Sequence, residues 1–370
     1  MGPTKAIIQH QHLIHNFNLI RQAVGSTKIM GVVKADAYGH GSLEVAQTLI
    51  KAGAEYLGVA FLEEGIELRE HGIQIPILVF GAHLTKYFEN HLQYGLDITL
   101  TSLEQLPHLE EICQRMSKKA CVHIKVDTGM GRVGFRYEEF TNHLDTLFNV
   151  PFIDVIGVYT HFASADENDL SYTELQLQRF KVIKKVVEQY GNNILFHAAN
   201  SAAIMRLPAA HLDIVRPGIM LYGNPPSANF PLTWDLKEVM TLISRISLIK
   251  SLPPGEPVSY NRHFYTKDHT RIGIIPVGYA DGYNRKLTNQ GEVLIRGHRF
   301  PVIGTVCMDQ IVVDLKNDTS IKHGEDVVLF GRQNQGHISI TEIARKLETN
   351  PYEITCWVSG RVHREHKKMD

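Results

Sequence analysis

From residue 29 onward, short apolar runs recur along the chain with more polar segments between them. Short apolar runs, rich in Val and Ile, sit at 29–33, 56–60, 75–80, 97–100, 120–126, 155–159, 194–197 and 213–215. Most are separated by segments with helical spacing of apolar residues, such as 62–70, 103–116, 138–147 and 172–190. Short runs bounded by turn formers read as strands, and the longer periodic segments read as helices. Eight strands alternating with helices predict a (β/α)8 barrel, an α/β fold whose parallel sheet closes on itself. Ahead of it, 6–9 reads as a strand and 13–24 as a helix.

The pattern changes after Tyr222-Gly223-Asn224-Pro225-Pro226, a turn-rich stretch that runs to Pro231 and reads as a linker. Beyond it come short strands at 239–251, 271–277, 292–295, 299–303, 310–314 and 326–330. One helix, 341–347, follows Ser339-x-x-Glu342, a capping-box pattern. The expected organisation is a barrel over residues 10–230 and a mostly β C-terminal domain over 231–370.

A chain of 370 residues has room for both. Acidic and basic residues nearly cancel, 39 against 38, so charge gives no support for nucleic-acid or membrane partners. No apolar run is long enough to span a bilayer, and residues 1–12 lack a signal-peptide core, so the expected location is cytoplasmic. Cys113, Cys121, Cys307 and Cys356 show no C-x-x-C spacing, so neither a metal site nor a disulfide framework is expected. The histidines are scattered, and His10, His12 and His15 read as surface residues.

Barrel enzymes work at the C-terminal ends of their strands. Lys34 stands at the end of the first, before the tight loop Ala35-Asp36-Ala37-Tyr38-Gly39-His40-Gly41. Alone it also fits an exposed lysine capping a strand. In a crevice, desolvation would lower its pKa, and the neutral amine would attack an aldehyde. Lys125 and Asp127 end the fifth strand, before Thr128-Gly129-Met130-Gly131-Arg132. His161 ends the sixth, Asn200-Ser201 follow the seventh, and Arg216 ends the eighth. The last two loops suit a phosphate: a hydroxyl and N–H groups at a helix start, and a glycine at Pro217-Gly218-Ile219. A nucleophilic lysine, a phosphate pocket and a central arginine fit pyridoxal 5'-phosphate.

The stretch Val33-Lys34-Ala35-Asp36-Ala37-Tyr38-Gly39-His40-Gly41 resembles the lysine motif of bacterial alanine racemases. Lys125 to Arg132, Thr160 to Asp166, Asn200-Ser201, Arg216-Pro217-Gly218, Val258-Ser259-Tyr260, Val277 to Gly282 and Cys307-Met308-Asp309 continue the resemblance through almost the whole chain. It implies a homodimer in which the β domain of one subunit closes the barrel mouth of the other, and a small amino acid as substrate. It also implies that the N-terminal strand joins the β domain.

Residue by residue, the resemblance implies that Lys34 holds the cofactor and is one base. Tyr260 of the partner subunit is the other. Tyr38, Ser201 and the Gly218-Ile219 backbone hold the phosphate, with Asn200 beside them. Arg216 meets the pyridine nitrogen, and His161 bonds to Arg216. Arg132 and the backbone of the partner's Met308 hold the substrate carboxylate. Lys125 matches a lysine that the family often carries as a carbamate, and Asp166, Tyr279 and Arg285 match entrance residues. An arginine cannot accept a proton, so it leaves the ring nitrogen unprotonated and the ring a weaker electron sink.

One departure stands out. Glycine occupies position 360, in Cys356-Trp357-Val358-Ser359-Gly360-Arg361, where the family usually carries a tyrosine that binds phosphate and narrows the entrance. The expected activity is racemisation of alanine for peptidoglycan. The alternatives are a racemase that also takes serine, a barrel-type amino-acid decarboxylase, and a non-enzymatic carrier of the cofactor.

Overall fold

The computed structural model describes residues 2–82, 84–191 and 193–368. The chain opens with β1 (Lys5–Gln9), and the helix His10–Val24 follows directly. The barrel strands are β2 (Lys28–Val32), β3 (Tyr56–Val59), β4 (Ile77–Val79), β5 (Asp97–Leu100), β6 (Ala120–Asp127, with the short β7, Phe135–Arg136, beside its end), β8 (Ile153–Tyr159), β9 (Leu195–His197) and β10 (Ile214–Val215). Each lies within two residues of the strand expected from the apolar pattern. Parallel strands covered by helices are buried on both faces, which is why they read as unbroken apolar runs.

The ladder order is β10-β2-β3-β4-β5-β6-β8-β9. The ring closes between β9 and β10 by individual bonds: Asp213 N–H donates to Phe196 O (3.0 Å) and Arg216 N–H to Ala199 O (2.9 Å). Met30, Tyr56, Leu78, Tyr159 and Ile214 pack together inside the barrel. The strand ends above that plug carry the polar residues.

The C-terminal domain contains β11 (Met240–Arg245), β12 (Leu248–Leu252), β13 (Thr270–Ile275), β14 (Glu292–Ile295), β15 (His298–Pro301), β16 (Ile311–Asp314), β17 (Asp326–Gln333), β18 (Gly336–Ile338) and β19 (His363–Lys367). One sheet runs β15-β14-β17-β11-β1-β19, and a second runs β12-β13-β16. Thus β1 pairs antiparallel with β11 and parallel with β19, bringing both ends of the chain into one sheet.

Several expectations need correction. The single strand at 239–251 is two strands in different sheets, because Ile246 N–H turns to Glu325 O and Ser247 N–H to Ile274 O. The stretch after Tyr222 is no free linker, since Asn224, Pro225 and Pro226 are buried. Only half of the capping box forms: Ser339 Oγ accepts from Glu342 N–H, but the Glu342 carboxylate turns to Arg299. His10 is buried rather than exposed, bonded to Thr48 Oγ1 (2.6 Å) and His366 (2.9 Å).

Candidate active site

A cavity of about 330 Å³ opens at the C-terminal ends of the barrel strands. Lys34, Tyr38, Lys125, Arg132 and His161 line it. So do Asn200, Ser201, Arg216, Gly218 and Ile219.

Lys34 leaves the barrel through a left-handed turn. Ala35, Asp36, Ala37 and Tyr38 have φ of 52°, 52°, 51° and 55°, a run that costs roughly 1–2 kcal/mol per non-glycine residue. The surroundings hold it there. Ala35 N–H donates to Glu64 Oε1 (2.6 Å), and Ser42 N–H to Asp36 Oδ1 (2.8 Å). His40 Nδ1 meets the carbonyls of Ala37 and Tyr38, each at 3.0 Å. The turn sends both Lys34 and Tyr38 into the cavity. Burial lowers the Lys34 pKa, and the Arg132 guanidinium lowers it further.

Tyr38, Ser201, Gly218 and Ile219 form the far end. Asn200 caps the short helix Ser201–Arg206, its Oδ1 accepting from Ala203 N–H (3.0 Å). Ser201 Oγ accepts from Gly218 N–H (2.9 Å), which leaves its own proton free to donate. A Cβ at Gly218 would collide with the Tyr38 hydroxyl, so glycine is what lets the two approach.

Arg216 is fully engaged on its buried side. Nη2 donates to Thr160 O (2.7 Å) and Ala198 O (3.0 Å) and reaches His161 Nδ1 (3.3 Å). Nη1 meets His197 Nδ1 at 3.0 Å. Its Nε makes no hydrogen bond among the described residues. Burial brings the Arg216 pKa down to about 10, so it is still a cation at neutral pH. Burial, then Arg216, holds His161 and His197 well below the ordinary histidine value, so both are neutral.

Lys125 lies over the Tyr159 ring, 4.7 Å from its centre. Burial and then Arg216 push its pKa far down. Burial pushes the neighbouring Asp127 up, but backbone N–H groups at Gly129, Gly131, Arg132 and Met130 outweigh it and hold the carboxylate low. Those bonds shape the loop that presents Arg132.

The remaining candidates lie outside this cavity. Tyr260 is 68% exposed, on the β domain, with Ser259, Asn261 and Arg262 around it at φ of 62°, 61° and 53°. Tyr279 and Met308 are also exposed and share one edge: Tyr279 N–H donates to Cys307 O and Ala280 N–H to Met308 O. Arg285 sits on the exposed turn Arg285–Leu287, and Asp166 is partly buried.

Sequence reasoning missed Tyr159, Tyr352, Glu64 and the histidine pair behind Arg216. Tyr159 and His197 carried a signal, since each ends a barrel strand. Tyr352 carried none. Among the described residues, no group of three His, Cys, Asp or Glu side chains could hold a metal, and no helix is long and apolar enough to cross a membrane.

An amine of lowered pKa, a cluster of hydroxyl and N–H donors, and a guanidinium lining the same cavity fit the aldehyde, the phosphate and the ring nitrogen of pyridoxal phosphate. Glycine at 218 lets the Tyr38 hydroxyl close on the Ser201 and Gly218 end of the cavity, which gathers the donors a phosphate needs. Fold and site together define a pyridoxal-phosphate enzyme of the barrel type.

The profile of the alanine racemase N-terminal domain matches residues 8–226, and that of the C-terminal domain matches 239–366. An alanine racemase of Halothermothrix orenii is 45% identical, covering 99% of this chain and 97% of that one. The solved alanine racemase of Clostridium difficile superposes with a TM-score of 0.94 at 41% identity, covering 99% of this chain and 96% of its own. That of a D-cycloserine-producing Streptomyces lavendulae gives 0.95 at 31% identity, covering 100% and 98%. The chain belongs to the alanine racemase family of pyridoxal-phosphate-dependent amino-acid racemases.

Proposed function

We propose that this chain interconverts L- and D-alanine by moving a proton between the two faces of the substrate α-carbon. Lys34 serves one face and Tyr260 of the partner subunit the other. The observation that carries this reading is the separation of the two groups. Lys34 lines the barrel cavity, whereas Tyr260 of the same chain is outside that cavity and exposed. A homodimer that sets the β domain of one subunit over the barrel mouth of the other brings them together.

Bound at the barrel mouth, pyridoxal phosphate would withdraw electrons from the substrate and acidify its α-hydrogen. The residues of the chain do the rest. Tyr38, Ser201, Gly218 and Ile219 anchor the phosphate, with Asn200 fixing the helix start. Arg216 offers only donors to the ring nitrogen and restrains electron withdrawal. His161 fills the space beside Arg216 without adding charge. Arg132, with the backbone of the partner's Met308, orients the substrate carboxylate. Asp166, with the partner's Tyr279 and Arg285, lines the entrance.

Lys125 fits a carbamate. Its neutral amine can add carbon dioxide: a nitrogen–carbon bond forms, the amine loses a proton, and an anion results between Arg132 and Arg216. That exchanges an amine beside two cations for a paired charge.

D-Alanine made this way would feed peptidoglycan synthesis. All four cysteines are free, which suits the reducing cytoplasm. The glycine at 360 is the ground for a second reading, racemisation of serine alongside alanine: it lies outside the cavity lining and brings no side chain to narrow the entrance.

The test is L-alanine with the holoenzyme in deuterium oxide. The product is D-alanine with deuterium at the α-carbon, and borohydride fixes the cofactor to the peptide containing Lys34. Carbon dioxide release, or a label on Lys125, contradicts the reading.

A further inference from the structure

The C-terminal helix Pro351–Cys356 carries an aromatic residue into the cavity. Asn350 caps this helix, and Pro351 occupies its first turn. It packs against the left-handed turn after Lys34 so closely that a Cβ at Gly39 would strike the Thr355 carbonyl. This contact sets Tyr352 beside Tyr38, ring centres 5.8 Å apart, and Tyr38 lies 4.9 Å from Tyr222.

The three hydroxyls of this tyrosine row differ in what they bond. Tyr222 donates to Val32 O (2.9 Å). Tyr38 and Tyr352 line the cavity, and neither hydroxyl makes a hydrogen bond among the described residues. Neither hydroxyl is sealed away from the cavity, so both are open to an acceptor that enters it. The Asp166 carboxylate acts on Tyr352 through space but is not hydrogen-bonded to it. Gly360 faces open space. Among the described residues after 350, only Tyr352 lines the cavity.

We propose that the Tyr352 hydroxyl is a further phosphate-binding group, donating to the cofactor phosphate beside Tyr38 and Ser201. The phosphate presents three acceptor oxygens, and Tyr38, Ser201 and the backbone at Ile219 do not exhaust them. A donor from position 352 supplies what glycine at 360 cannot. The proposal rests on the reading of the cavity as a pyridoxal-phosphate site and adds one residue to it.

The test is Tyr352→Phe in the full chain, resolved of cofactor and titrated with pyridoxal phosphate and, separately, with pyridoxal, which lacks the phosphate. A hydrogen bond to a charged group corresponds to roughly a tenfold change or more in affinity. Pyridoxal phosphate should therefore bind about tenfold more weakly, with pyridoxal unchanged and the phosphorus resonance of the bound cofactor displaced in the holoenzyme. Thermal unfolding of the cofactor-free variant checks its fold. Should the variant fold poorly, Tyr352→Gln, which keeps a donor, should recover the preference for the phosphorylated form. Equal loss for both compounds, or no loss for either, overturns the role of Tyr352 alone. A wild-type chain without affinity for pyridoxal phosphate overturns the parent reading as well.

Discussion

Nη1 of Arg216 lies 3.0 Å from Nδ1 of His197, and that contact fixes the protonation of the side chains behind it. An arginine only donates, so His197 Nδ1 must accept and carry its proton on Nε2. That nitrogen sits 2.9 Å from His123 Nδ1, which must accept in turn. His123 is left with its proton on Nε2, facing Asp97 Oδ2 at 3.5 Å. Donation in the row Arg216, His197 and His123 therefore has one direction, with a cation at the cavity and the Asp97 carboxylate near the far end but not hydrogen-bonded to it. It holds the guanidinium in one orientation with Nε left over.

Replacing His197 with Phe removes the acceptor while keeping most of the volume. Hydrogen bonds to charged groups contribute about 1.5–3 kcal/mol, so kcat should fall roughly tenfold to a hundredfold. The absorbance of the bound cofactor should shift as Arg216 moves. His197→Asn, which offers an amide oxygen, should recover part of both. Unchanged kinetics and spectra would mean that the Thr160 and Ala198 carbonyls hold Arg216 unaided.

Buried neutral histidines also set a stability profile. Burial brings the pKa of His40 from 6.5 to about 3, and His161 and His197 are also held well below 6.5. The unfolded chain takes up these protons as pH falls below 6.5, and the folded chain does not. Each such group therefore removes about 1.4 kcal/mol per pH unit below 6.5, until its folded pKa is reached. For His40 the window runs from 6.5 to about 3. Ordinary carboxylates titrate lower, so the range between pH 6.5 and 5 belongs to histidine. Tm should fall by several degrees from pH 7 to pH 5, and less so in His40→Asn. A Tm that is flat or rises on acidification contradicts the neutral assignments.

The barrel was legible because most of its strands are buried on both faces and therefore read as short, mostly apolar runs. Lys34, His161 and Arg216 were legible because they interrupt that rule at strand ends. Other features depend on partners far away in the chain. β19 reads His-Arg-Glu-His-Lys and has no apolar pattern; pairing with β1 makes it a strand. His10 looked exposed because its partner, His366, stands at the opposite end of the chain. Tyr352 enters the cavity only because Gly39 lets its helix pack against the left-handed turn.

Gly360 bears on substrate choice. A Cβ there meets nothing within 4 Å, and its φ lies outside the glycine-only region, so the backbone accepts a side chain. An apolar pocket rejects an added hydroxyl only weakly, by about a hundredfold at best. The wild type should racemise serine measurably, with alanine preferred. Gly360→Tyr should lower the serine-to-alanine ratio of kcat/KM. A ratio that stays level or rises would place the control of specificity at another residue.

The division of the two bases between chains is tested most directly by mixing inactive variants. Lys34→Ala and Tyr260→Phe homodimers should each be nearly inactive. Under conditions that exchange subunits, the mixture should regain activity, since one of the two sites in a heterodimer then carries both wild-type bases. Recovery approaching a quarter of wild-type activity is expected for random exchange of equal amounts, because about half of the dimers are mixed and each has one intact site. No recovery despite demonstrated exchange would place both bases on one chain and contradict the account.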